Sequence, residues 1–375
     1  MAEKKVVLVT GVAGYWGGQV VSRLIAEAEQ REDDSAGVSG DIHIIGLDIE
    51  PPKQVIKGLD FIQADIRNPL LIDLLKSEGV HTVCHLGFID NGRPSEASFD
   101  INVMGTMKLL GACAEAGTRK VVIKSSTAVY GASPSNPGFL TEQHPLQGSH
   151  SRGYTRDMVE IEAFCTGFRR QQPEMILTIL RFPSIVGPNA DTPMIRLLKE
   201  PRSPVLLGFD PLMQVIHERD VVEALVYGIL NDHPGVFNVA ADGILPLTKL
   251  MSLAGRLPIP VFHLFAYWGM GLLSSSGLND GRYIPIELDY IRYPWVADLT
   301  RMHKELEFMP RHTVEETLRE FAGQQRLRRY VPETDALAYD EGRLHDTIER
   351  RRRAKERQMA NVARKAEEDV DNEQR

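Results

Sequence analysis

Residues 5–21, KVVLVTGVAGYWGGQVV, constrain this chain more than any other stretch. A β-branched apolar run ends at Gly11, and an amphipathic helical period begins a few residues later. Gly11, Gly14 and Gly17 sit between them with the spacing G-x-x-G-x-x-G. Glycine at such a strand-to-helix turn permits the tight bend and brings backbone amides close to a pyrophosphate. The third glycine lets the helix pack against the strand, and the helix N-terminus attracts phosphate charge. Spaced glycines alone suit any tight turn. A strand before and a helix after them make the motif specific.

The same strand–helix alternation continues along the chain. KVVLVTG (5–11), DIHIIGLD (41–48), LDFIQAD (59–65), HTVCHLG (81–87) and KVVIKSS (120–126) read as buried strands, followed by EMILTILRF (174–182) and GVFNVAA (235–241). Helical periods such as GGQVVSRLIAEAEQ and NVMGTMKLLGACAEAG separate the early ones. Near-continuous apolar strands alternating with helices imply an α/β fold, a doubly wound parallel (Rossmann) sheet covered on both faces. The acidic, then small, residues 30–40 (QREDDSAGVSG) read as an exposed insertion after the first helix.

Asp48 closes the second strand. A carboxylate there accepts hydrogen bonds from the adenosine ribose hydroxyls and repels a 2′-phosphate, so it selects NAD over NADP. Asp65, ending the third strand with Ile66 after it, falls at the adenine edge. A helix cap or turn residue is the structural alternative for either aspartate. Residues 1–183 then form an NAD-binding domain, to which a strand and helix return from about 216–242. Residues 184–215 and 243–325 make a smaller substrate lobe, and 326–375 a charged helical or disordered tail.

The bulk properties narrow the partners. The net charge of −8 opposes nucleic-acid binding, which wants a basic face. Cys84, Cys113 and Cys165 are isolated and suit buried thiols in a reducing compartment rather than a disulfide framework. MAEKK leads straight into the first strand without a signal-peptide pattern, so a cytoplasmic protein is expected. No His, Cys, Asp or Glu cluster has metal-ligand spacing, so no metal is assigned. Residues 257–279, LPIPVFHLFAYWGMGLLSSSGLN, carry no Asp, Glu, Lys or Arg. Their prolines, glycines and serines favour a buried or interfacial helix over a membrane span, and no membrane contact is expected.

The set TGVAGYWG, LDIE, ADIRNP, HLG, INVMGT, SSTAVYG, GYTRDM, LRFPSIVGP and VIHERDVVEAL resembles the extended short-chain dehydrogenases/reductases. Within them it is most similar to the NAD-dependent epimerase/dehydratase group. The resemblance spans about residues 5–320. It implies a homodimer, a small-molecule substrate and a cofactor site containing Gly11, Gly14, Tyr15, Trp16, Gly17, Asp48, Asp65, Ile66, Leu86, Gly87, Asn102, Tyr154 and Pro183. It also implies that Ser126 hydrogen-bonds the substrate oxygen while Tyr154 exchanges a proton with it. His217 and Asp220 match a hallmark H-x-x-D, which on the residues themselves reads as structural.

Two departures stand out. A free tyrosine has a pKa near 10, too high for a good base. Relatives correct this with a lysine four residues on, where this chain has Met158. The departure has three readings: an enzyme with its charge relocated, for which Lys124 and the nicotinamide are the candidates; a slower enzyme with an unassisted tyrosine; or a non-catalytic NAD-binding scaffold or sensor. Lys124 shares a strand face with Ser126, although a lysine at a strand end ordinarily reaches solvent. On the substrate side, the resemblance places Ser184 and Met213 where nucleotide-sugar enzymes carry asparagine and arginine. A missing guanidinium removes a bidentate diphosphate clamp. A nucleotide sugar, with the clamp rebuilt from Arg196, Lys199, Arg202 or Arg282, and an apolar alcohol of sterol or prenyl type both remain open as substrates.

Overall fold

A computed structural model describes residues 5–34, 42–90, 94–148, 153–200, 202–264, 266, 286–330 and 351. The chain falls into two compact units, Met1–Ala322 and Gly323–Arg375.

The first unit is built on a seven-stranded parallel sheet. Its strands are β1 (Lys5–Thr10), β2 (Ile42–Asp48), β3 (Asp60–Gln63), β4 (Val80–His85), β5 (Lys120–Ser126), β6 (Ile176–Phe182) and, out of numerical order, β11 (Gly235–Asn238). They lie in the order β11-β6-β5-β4-β1-β2-β3. The order reverses between β1 and β4, which is where open α/β sheets form their ligand crevice.

The alternation of side chains along β1 divides the core. Val7 and Val9 pack with Val20, Val21 and Leu24 of α1 (Tyr15–Asp34) and with Val221, Leu225 and Ile229 of α7 (Glu218–Leu230). On the other face, Val6 and Leu8 share a cluster with α2 (Leu71–Ser77), α4 (Gly105–Ala116) and α5 (Gly153–Gln171). Burying both faces is what the uninterrupted apolar strands require.

Helix α1 runs to Asp34. The first part of the presumed insertion is therefore helix, because Gln30–Asp34 contains no breaker; residues 35–41 lie outside the described set.

A third cluster forms the smaller lobe. It gathers α6 (Pro193–Lys199), β8 (Arg202–Leu206), β9 (Leu212–Met213), α8 (Leu247–Leu253) and the start of α9 (Val314–Tyr330) around Tyr290 and Trp295. Two short parallel strands, β7 (Ser184–Val186) and β10 (Val215–His217), lie at the junction with the main sheet. The uncharged segment does not begin as a helix. Leu257–Val261 is a strand, β13, paired in parallel with β8. Pro258 and Pro260 disfavour a helix interior, and Leu257 is 67% exposed. Residues 265 and 267–279 lie outside the described set. Among the described residues no helix is long and apolar enough to cross a membrane.

Candidate active site

The turn after β1 has the geometry its glycines suggest. Gly11 has φ +77°, and a Cβ there would stand 2.6 Å from the Gly87 backbone nitrogen. At Gly17 a Cβ would come within 2.2 Å of the Gly11 carbonyl oxygen. Any side chain at either position would push the loop, the helix and the 86–87 segment apart.

Above this turn lies a cavity of about 160 Å³ lined by Gly11, Gly14, Asp48, Asp65, Ile66, Leu86, Gly87 and Phe88, among others. The Asp48 carboxylate accepts the Ala13 N–H at 2.9 Å and the Ile49 N–H at 2.7 Å. Asp65 is held by Arg67, whose guanidinium keeps the carboxyl below its usual range. These residues fit a dinucleotide: glycine amides for phosphate and carboxylates at the adenosine end.

A second cavity, about 230 Å³, lies at the C-terminal ends of β4, β5 and β6. Its wall includes Trp16, Lys124, Ser126, Tyr154, Pro183 and Ser184. Leu86 and Phe88 line both cavities, so the two share one wall. Sequence reading brought Ser126, Tyr154, Pro183 and Ser184 to this place and missed Phe88, Asp90, Thr192 and Trp295. Their sole signal was position after a strand end or in the second lobe.

Three expected contacts lie elsewhere. Asn102, in a π-type turn ahead of α4, is wholly buried and lines neither cavity. It accepts the Ile89 N–H and donates to the Ile89 carbonyl and Asp157, thereby holding the 86–90 segment from behind. Met213 is 1% exposed, packs in the core of the smaller lobe and is absent from the cavity wall. Tyr15 lies against Trp16 with ring centroids 4.9 Å apart and lines neither cavity. Burial, then the Glu218 carboxylate, pushes its phenol above the ordinary value.

Tyr154 is partly exposed, yet its hydroxyl oxygen is buried and has no hydrogen-bond partner among the described residues. Burial, then Asp90 and Glu162, pushes its phenol well above 10. Ser126 Oγ accepts the Ala128 N–H at 3.2 Å, which leaves its own hydrogen free to donate. Met158 is fully buried among apolar side chains and does not reach the cavity. Lys124, read either as a strand-end lysine at solvent or as the relocated charge beside Ser126, lines the cavity. Its Nζ lies 5.3 Å from the Trp16 ring centroid and 5.7 Å from that of Tyr154.

His217 and Asp220 take structural positions. Asp220 accepts the backbone N–H groups of Arg311 and His312, at 3.1 and 3.0 Å, and contacts His312 Nδ1. His217, His312 and Glu320 carry potential ligand atoms within 4.8 Å of one another, a grouping that sequence spacing did not reveal. The Arg219 N–H donates to His217 Nδ1. The neutral ring therefore keeps its proton on Nε2, facing Glu320 at 3.3 Å. Nε2 makes no hydrogen bond among the described residues.

Fold and site together define a dinucleotide-binding α/β protein in which Ser126 and Tyr154 line a cavity adjoining the cleft at the glycine turn. The chain belongs to the NAD dependent epimerase/dehydratase family, whose model matches residues 7–240. An uncharacterized protein of Mycobacterium tuberculosis is 33% identical over 329 residues, 84% of this chain and 83% of its own length. UDP-glucose 4-epimerase 1 of Oryza sativa subsp. japonica is 25% identical over 344 residues, 84% of this chain and 93% of that protein. Among solved structures, UDP-glucose 4-epimerase of Thermotoga maritima with UDP-glucose aligns with TM-score 0.63 at 18% identity. That alignment covers 86% of this chain and 99% of the other.

Proposed function

We propose that this protein is an NAD-dependent oxidoreductase of the epimerase/dehydratase type that acts on a secondary alcohol of a nucleotide sugar through transient hydride transfer. The observation that carries the reading is the shared wall. Ser126 and Tyr154 open onto a cavity that meets the dinucleotide cleft through Leu86 and Phe88.

NAD, when bound, supplies the hydride acceptor. The chain's own residues do the rest. The Gly11–Gly17 turn receives the phosphates, and Asp48 takes the adenosine ribose. Ser126 donates a hydrogen bond to the substrate oxygen, and Tyr154 moves that oxygen's proton. Pro183 and Phe88 keep water from the reacting carbon. The homodimer implied by the resemblance belongs to the same reading.

A second reading, an apolar alcohol as substrate, is favoured by the cavity wall. Phe88, Ile185, Met194, Ile286 and Trp295 dominate it, and its carboxylates Asp90, Asp191 and Glu287 repel a diphosphate. Arg196, one candidate clamp, is already paired with Asp191. Arg282, another, lies outside the described residues.

Calorimetry with NAD present separates the two. UDP-glucose binding that is lost on Ser126→Ala supports the first. Binding of a sterol or prenyl alcohol without any response to UDP or UDP-sugars overturns it. Tighter NADPH than NADH binding would remove Asp48 from its assigned role.

A further inference from the structure

Among the described residues, the substrate cavity has a single basic side chain on its wall, Lys124. The alternation of β5 places it on the face that carries Val122 and Ser126, while Val121 and Ile123 enter the opposite core. Trp16 from α1 and Tyr154 from α5 flank its ammonium with their ring faces. One helical turn beyond Tyr154, Met158 is sealed in the core. Among the described residues the tyrosine hydroxyl has no hydrogen-bond partner, although it is buried.

We propose that Lys124 and Tyr154 act as one proton-relay pair, in which the strand lysine holds the proton that the tyrosine takes from, or returns to, the substrate oxygen. This rests on the reading of Tyr154 as the residue that meets that oxygen. In the oxidative direction the substrate C–H bond breaks, and its electron pair leaves as hydride to the nicotinamide of NAD⁺. The O–H bond breaks as the carbonyl forms. That proton joins the Tyr154 oxygen while the tyrosine's own proton passes, through one bridging water, to the neutral Lys124 amine, which becomes an ammonium. Reduction reverses each transfer.

The electrostatics fit a relay better than a standing phenolate. Burial holds the Lys124 amine down at about 8, with Asp90 acting in the opposite direction. The same burial keeps the Tyr154 phenol protonated. The tyrosine therefore passes a proton on without storing charge, and the lysine exchanges one near neutral pH. The other charged groups nearby are engaged or acidic. Glu162 on α5 is locked to Arg181, and Asp191 to Arg196. Asp90 adds negative potential, which favours the ammonium.

The test is nitrogen NMR of protein labelled at lysine side chains, titrated with saturating NAD⁺ and no substrate. The Lys124 signal is assigned by its loss in Lys124→Met and, should that variant fail to fold, in Lys124→Arg. The expected midpoint is about 8, displaced by about half a pH unit or more in Tyr154→Phe, which keeps the ring and removes the hydroxyl. An ordinary lysine midpoint of about 10 or above, or an identical titration in Tyr154→Phe, overturns the pair. Because no substrate enters the experiment, failure of the nucleotide-sugar reading and failure of the relay are separable.

Discussion

The Arg181 guanidinium on β6 and the Glu162 carboxylate on α5 form a buried ion pair, with side-chain exposures of 4% and 2%. Glu162 also accepts the Ser125 hydroxyl at 2.5 Å. Arg181 donates to the Tyr130 hydroxyl, which in turn donates to Asn238, both at 2.7 Å. Removing one partner strands a buried charge. Glu162→Ala is expected to cost about 3–5 kcal/mol, read as a lower midpoint in urea unfolding. A loss under about 1 kcal/mol, the worth of a surface pair, would mean that water enters the site.

Lys124→Arg keeps the positive charge and loses the ability to accept a proton at accessible pH. Oxidation, followed as NADH formation, is expected to fall by about 10²-fold or more. In the parent protein the oxidative rate should rise with pH through about 8 as the amine becomes neutral, while the reductive rate falls. An arginine variant with undiminished oxidation would make Lys124 a fixed charge only.

Gly17→Ala places a Cβ against the Gly11 carbonyl oxygen, at 2.2 Å if nothing shifts. Overpacking of this kind costs about 1–3 kcal/mol, and here it also displaces the phosphate-binding turn. Thermal melting with and without NAD should show a lower transition and little stabilisation by the cofactor. Full retention of the cofactor's stabilising effect would disprove the role of that contact.

His85 predicts an acid limb in stability. Its ring contacts Thr10 Oγ1 at 2.7 Å and Thr106 Oγ1 at 2.9 Å, and burial holds it down at about 3. The folded-state value is depressed below the unfolded value of about 6.5, so the unfolded chain binds the extra proton. The stability linked to His85 is complete above about 6.5 and is lost progressively as pH falls toward about 3, by an amount on the order of a few kcal/mol. His85→Gln should flatten this dependence in denaturation measured across that window. An unchanged slope would assign the acid limb to other groups.

Much of the sheet was legible because strands buried on both faces read as unbroken β-branched runs. The cofactor turn was legible because glycine is the residue that fits where Gly11 and Gly17 stand. Lys124 was not. A two-residue period tells which face a side chain takes, but not that Trp16 and Tyr154 will cover it. The burial of Met213 was illegible for a related reason, since a two-residue strand pairing with Leu245 and Pro246 turns it into the core. The start of the uncharged segment misled because lack of charge suggests burial, whereas pairing with β8 leaves Leu257 and Ile259 exposed.

The bond between Asp48 and the Ala13 amide gives the carboxylate a duty toward the glycine loop, beside the one toward the ribose that we propose for it. Replacing it with a small neutral residue to admit a 2′-phosphate would leave that amide without its acceptor. Recoding this chain for the phosphorylated coenzyme is thus a coupled redesign: the new side chain must welcome the extra charge while a second substitution restores an acceptor for the loop.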